Sequence, residues 1–374
     1  MKIFVFGSSI TSSYWNGAAT YYRGLYRQLF LRGYRITFAE PDAYGRQQKR
    51  DAGDFSYVES IVYNTEEEIP ALMALARECD FVIKHSGVGV YDTVLEERVL
   101  DCRSANTRVA FWDVDAPATL DRVENNPADA FRQLIPEYDF IFTYGGGRPI
   151  VERYTRLGAA NCHPLYNGLD PETHYPVPAD PRWECDLLFV GNRLPDRESR
   201  VEQFFLRAAT LAPDLAFALG GEGWAGKAIP DNVRWIGHIA TDHHNLLNCS
   251  ARMVLNVTRH SMVVAGFSPP TRIFEAAGAG ACLISDCWAG IEEFFEPGRE
   301  VLVAGSAEEI VKHLRSVSVH QACEIGENMR RRALRDHTYS LRAGQFDSLV
   351  CEAGAAHGQQ MMSRPEPAEA ERNS

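Results

Sequence analysis

Apolar residues in the first part of the chain fall into short β-rich runs separated by longer stretches with helical spacing. The runs at 3–6, 35–39, 81–84, 108–112 and 139–143 predict strands. The stretches 18–32, ended by Gly33, 66–78 and 91–101 predict helices. Strands alternating with helices imply βαβ units and a mostly parallel sheet. The pattern lapses over 163–182 (HPLYNGLDPETHYPVPADPR), where five prolines interrupt both periods. It then restarts, with strands expected at 186–190, 215–219, 233–235, 251–257 and 282–285. Helices are expected at 200–211, 243–249 and 271–278, and a basic helix at 307–335 closes this half. The expected organisation is therefore an N-terminal Rossmann-like domain at 1–165, a Pro-rich linker at 166–182 and a second Rossmann-like domain at 183–354. The last stretch, 355–374, has almost nothing apolar to bury and is expected to be a disordered tail.

Length agrees with this division, since 374 residues suit two domains at roughly 150 residues each. With 45% hydrophobic and 24% charged residues, wholesale disorder is excluded. A net charge of −12 opposes binding to a phosphate polymer, so nucleic acid is not expected as a partner. The N-terminal apolar run meets Gly7 too soon for a signal peptide, and no stretch approaches the ~18 residues of a membrane span. A soluble, cytoplasmic protein is the expectation. The nine cysteines are scattered without a C-x-x-C pair, which suggests buried thiols rather than disulfides or a zinc site.

The richest segment is SPPTRIFEAAGAGACLISD at 268–286. Its paired prolines can start a helix, on which Arg272 and Glu275, three apart, share a face. A helix N-terminus with an Arg suits a diphosphate, and a carboxylate one turn later suits a ribose diol. An ordinary surface pair at i, i+3 is the competing reading. Gly278 and Gly280 end the helix before the next strand.

Together with GIEEFFEPGREVLV, this segment resembles the donor half of glycosyltransferases with two facing Rossmann-like domains, the GT-B fold. More closely, Pro269 to Glu275, Phe189 to Asn192 and His337 to Tyr339 are similar to motifs of the bacterial spore-maturation-type glycosyltransferase family. The resemblance covers about 80–345. It implies that Glu275 holds the donor ribose and that Gly278 lets the backbone approach. It places Asn192, Arg193 and Arg197 on the donor diphosphate, Gly237 and His238 at the nucleobase, and Asn256, Thr258 and Arg259 near the donor. Many retaining members have a second Glu eight positions before the ribose Glu, and Phe267 stands there. The stereochemical outcome is thus left open.

In the first half, FWDVDAPATL sets Asp113 and Asp115 just after a strand, two apart and expected on one side. Mutual repulsion there could raise one toward a general base, although Asp115 also suits a helix N-cap. His85 likewise follows a strand, where GT-B relatives often carry a donor-contacting His. After the first strand, Ser8, Ser9 and Asn16 suit acceptor binding, and Trp15 suits stacking on a sugar face. Gly145 to Gly147 is read as a flexible turn. The expected function is transfer of a hexose-type sugar from a nucleotide diphosphate sugar to an acceptor the sequence does not name. No cofactor or metal is expected, the donor being a substrate. A nucleotide-sugar 2-epimerase and a non-catalytic nucleotide-sugar-binding partner are the alternatives.

Overall fold

The computed structural model describes residues 1–240 and 243–362, with side chains through Cys351. Seven strands form the first sheet: β1 (Lys2–Phe6), β2 (Arg35–Pro41), β3 (Glu59–Tyr63), β4 (Phe81–His85), β5 (Arg108–Asp113), β6 (Phe140–Thr143) and β7 (Cys162–Pro164). Their order is β3-β2-β1-β4-β5-β6-β7, and every pairing is parallel. Six more form the second: β8 (Cys185–Val190), β9 (Phe217–Gly220), β10 (Val233–Gly237), β11 (Ala251–Asn256), β12 (Leu283–Asp286) and β13 (Leu302–Ala304). These run β10-β9-β8-β11-β12-β13, again all parallel. Each sheet is the expected doubly wound layer, with a buried apolar cluster on either face. Strand order reverses between β1 and β4 and between β8 and β11, which are the points where ligands enter such sheets.

Three strands escape the sequence pattern. β3 is an edge strand whose residues are mostly only partly buried, and β7 and β13 have three residues each. The basic helix expected at 307–335 is two helices, Ala307–Ser316 and Val319–Asp336. Val317 and Ser318 are extended between them, and Ser318 caps the second helix in a reciprocal bond pattern with Gln321.

The last helix, Tyr339–Met362, leaves the second half and packs on the first sheet. Phe346 stacks on Trp112 with centroids 5.7 Å apart, and Tyr339 lies so close to Gly24 that a Cβ there would meet its ring at 2.2 Å. This helix continues through 355–362, where a tail was expected, and 363–374 lies outside the described residues. The chain therefore crosses between halves twice. At the crossing the Leu169 N–H donates to the His337 carbonyl at 2.7 Å, and the Tyr339 N–H to the Leu169 carbonyl at 3.0 Å. Leu165 belongs to the first core and Leu169 to the second, so the hinge is short. Later linker residues already lie on the second half, with the Asp180 N–H on Ser250 Oγ at 2.9 Å.

Candidate active site

Loops leaving the carboxyl ends of the two sheets meet face to face. Arg259, after β11, donates through Nη1 to Asp115, after β5, at 3.1 Å, and through Nε to Asp196 at 3.0 Å. Beside this pair the Gly146 N–H donates to the Phe267 carbonyl at 2.7 Å. A Cβ on Gly145 would meet Ser268 Oγ at 2.9 Å, and one on Gly147 would meet Phe267 Cβ at 2.8 Å. The triple glycine is thus the surface on which the second half rests, rather than a free turn. Phe267 itself has φ of 47°, strained for a bulky residue, and its ring lies against Gly290.

At the second switch point the positive charge is concentrated. Arg197 lies on the Pro195–Val201 helix after β8, and its Nη2 donates to the Asn192 carbonyl at 2.7 Å. Its Nε is buried without a hydrogen-bond partner. Burial and the nearby charges of Arg272 and Arg259 push Arg197 down to about 10, so no carboxylate compensates it fully. Arg272 stands in the first turn of the Thr271–Ala279 helix, and burial lowers it as well. Arg197, disfavoured by the charge of Arg272, and Arg272 itself beside a helix N-terminus form a cradle for a multivalent anion.

One turn along that helix, Glu275 is buried. Burial opposes its ionisation, but His244, His174 and Arg272 together hold the carboxyl well below the usual carboxylate range. It therefore stays an acceptor, the state a ribose diol requires. The loops beside it are close-packed by glycines: a Cβ on Gly221 would meet the Gly191 carbonyl at 2.4 Å, and one on Gly191 would meet Arg197. Asn192 accepts from the Glu222 N–H at 3.0 Å, which ties the loops after β8 and β9 together.

Other expected donor residues divide. Arg193 faces solvent and is paired with Glu198 at 2.7 Å, so its charge is already answered. Gly237 ends β10 with φ of 72° and accepts from the Gly221 N–H at 2.7 Å. His238 is exposed, 3.9 Å from Glu222. Gly278 does not face the cleft. A Cβ there would meet Leu169 Cδ1 at 2.5 Å and the His174 carbonyl at 2.6 Å, so this glycine admits the linker. Asn256 and Thr258 are buried and bond Asp286, itself paired with Arg200 at 2.7 Å, which fixes the turn before Arg259.

The first-half candidates separate sharply. His85 is fully buried, enclosed by Tyr22, Tyr26 and Trp112, with Tyr26 Oη 2.5 Å from Nε2. Burial pushes it far toward the neutral form, and the ring belongs to the core, not the cleft. Asp113 is also fully buried. It accepts from Ser86 Oγ at 2.7 Å, Thr119 Oγ1 at 3.0 Å, the Asp115 N–H at 3.0 Å and Tyr154 Oη. With Oδ1 taking three of these bonds and Oδ2 the fourth, this buried carboxylate organises the loop. Asp115 does not share its side, because φ of −145° and ψ of 57° break the strand alternation. Nor does its side chain cap the following helix; it reaches Arg259 instead. Ser9 and Asn16 are consumed within their own loop, where Asn16 Nδ2 donates to the carbonyls of Ser9 and Ser12 at 2.7 and 3.0 Å. Trp15 alone of that group is presented, 56% exposed, with φ of 48°.

Chains with known structures share this fold along nearly the whole of this chain. Sucrose-phosphate synthase from Thermosynechococcus elongatus superposes with a TM-score of 0.65 at 14% identity, covering 95% of this chain and 100% of that one. Anabaena HepE in complex with UDP and glucose gives 0.66 at 12%, covering 94% and 99%. The lipopolysaccharide outer core galactosyltransferase WaaB gives 0.59 at 15%, covering 94% and 100%. The chain has the GT-B fold. Residues 197–348 of this GT-B chain also match the family model described as glycosyl transferase-like, a span that includes Arg197, Arg259, Arg272 and Glu275. Among curated proteins none matches it. No helix among the described residues is long and apolar enough to cross a membrane.

Proposed function

We propose that this GT-B protein is a glycosyltransferase that uses a UDP-hexose. The single observation that carries the reading is Arg197, its buried Nε unbonded, at the β8/β11 switch point with Arg272 in the first turn of the Thr271–Ala279 helix and Glu275 one turn further on. The glycosyl transferase-like match over 197–348 and the UDP and glucose held by the HepE neighbour support it. The Pro269 to Glu275 and His337 to Tyr339 motifs support placement near the spore-maturation-type transferases.

In this reading the diphosphate lies on Arg197, Arg272 and the N–H groups that open the Thr271–Ala279 helix, with the ribose diol donating to Glu275. These groups stabilise the charge that grows on the departing diphosphate. The acceptor approaches from the first half, where Asp115 is the carboxylate placed at the seam and Trp15 the exposed ring. Arg259, bonded to both Asp115 and Asp196, links the acceptor side to the donor side. Phe267 occupies the position near the sugar, so the donor sugar meets a ring and backbone there.

The test is incubation of the purified chain with UDP-glucose, UDP-galactose and UDP-N-acetylglucosamine, with release of UDP followed by chromatography. Slow UDP release with free sugar, accelerated by an acceptor, is expected. An isomerised sugar nucleotide, or no turnover of any nucleotide sugar, overturns the reading.

A further inference from the structure

Around Glu275 three potential metal ligands from separate parts of the chain converge. They are His174 from the linker, His244 from the start of the His244–Ser250 helix, and Glu275 from the Thr271–Ala279 helix. One ligand atom from each lies within 4.8 Å of the others.

The hydrogen bonds around them leave the two facing imidazole nitrogens without a hydrogen bond. Thr173 Oγ1 engages His174 Nδ1 at 2.9 Å, which leaves the buried Nε2 without a partner. His174 is 4% exposed, so bulk solvent does not reach that nitrogen. His244 Nδ1 is also buried and unbonded, 3.6 Å from Glu275 Oε2, too long for a hydrogen bond. His174 Nε2 thus faces the group without any bond, and His244 Nδ1 meets Glu275 only as an ion pair at 3.6 Å. Buried polar atoms are normally satisfied, and a cluster of orphans calls for something between them.

The surrounding frame is built rather than incidental. Asn245 pins the linker on both sides of His174, its Nδ2 donating to the Thr173 carbonyl at 2.9 Å and its Oδ1 accepting from the Tyr175 N–H at 3.3 Å. Gly278 lies flush against the His174 carbonyl and Cβ, which fixes the imidazole from the other side. The Thr173 hydroxyl on the remote nitrogen is the kind of outer contact that orients a ligating histidine.

We propose that His174, His244 and Glu275 form a divalent transition-metal site of the zinc class, with a fourth position open. Two imidazoles and a carboxylate suit Zn²⁺ and do not suit Mg²⁺ or Ca²⁺, which take oxygen ligands. Bonds of about 2.0–2.1 Å in a tetrahedron require ligand separations of about 3.3 Å, so the three side chains draw together on binding. The metal would fasten the linker to the two donor helices. Building on the donor reading above, it would also take Glu275 from the ribose, so metal and nucleotide would compete.

The experiment uses the full chain, stripped of metal with a chelator and titrated with Co²⁺ by visible absorption and with Zn²⁺ by calorimetry. One equivalent per chain is expected, with the Co²⁺ bands of a four- or five-coordinate nitrogen and oxygen site and no thiolate charge-transfer band. His174→Gln and His244→Gln, which keep buried polar side chains, should each weaken binding at least about tenfold. Absence of stoichiometric binding, or binding unchanged in both variants, overturns the site. Saturating Co²⁺ should weaken UDP binding at least about tenfold, and unchanged UDP affinity overturns the shared use of Glu275. A chain that binds one Co²⁺ but no UDP in either state keeps the metal site and defeats the donor reading instead.

Discussion

Replacing Arg272 by Met deletes the charge of one guanidinium and keeps most of its stem. The charge of Arg272 disfavours that of Arg197 beside it. Its removal relieves Arg197 but also takes away one of the positive charges that hold Glu275 ionised, so the melting temperature of the free protein should change little. Bound diphosphate would lose one charge-assisted hydrogen bond, worth about 1.5–3 kcal/mol net. That range corresponds to a loss of about 10- to 150-fold in UDP affinity. Calorimetric titration with UDP, and with uridine as the diphosphate-free control, separates the two effects. UDP should weaken by that factor while uridine is unaffected, and a folding defect would weaken both. Equal affinity for UDP in wild type and variant would refute the argument that this charge awaits an anion.

Further outcomes follow from the same geometry. Asp115→Asn should lower transfer at least a hundredfold if Asp115 is the base, a loss in the usual range for acid–base groups. It should cost under about 1 kcal/mol in urea stability, because its pair with Arg259 is partly exposed. Asp113→Ala strips the acceptor from four donors and should cost about 3–5 kcal/mol in the same unfolding assay. His337 is held down to about 4 by burial and by Arg342, against about 6.5 when unfolded. Between those values the unfolded chain binds the extra proton, so stability rises with pH across that window. Acidification from pH 7 to pH 5 should lose about 2 kcal/mol through this group. His85 and His174, both lowered by burial, add losses of the same sign, and a urea midpoint higher at pH 5 than at pH 7 would contradict the assignment.

Much of the fold is written in local pattern, because a buried parallel strand needs a continuous apolar run and its crossover helix a 3.6-residue stripe. What lacks such a run goes unseen: β3 carries Glu59 and Ser60 at a sheet edge, and β7 is three residues ending in proline. The return of the last helix to the first sheet depends on Phe346 meeting Trp112, a contact more than 200 positions apart in the chain. Arg272 and Glu275 are legible for a local reason, since both lie on one short helix after a proline pair. His85 and Asp113 misled because the end of a strand fixes a residue's height above the sheet and not the face toward which it turns. Arg259 carried a weak signal, an Arg after a strand, and its partners Asp115 and Asp196 come from both halves. His174 and His244 carry none, being seventy positions apart in the chain.

The central claim is the location of the nucleotide, and a crystal structure of the chain with UDP tests it most directly. The diphosphate is expected within hydrogen-bond distance of Arg197 and Arg272, with both ribose hydroxyls on Glu275. UDP bound away from the β8/β11 switch point, or seated there with its ribose clear of Glu275, would contradict the account.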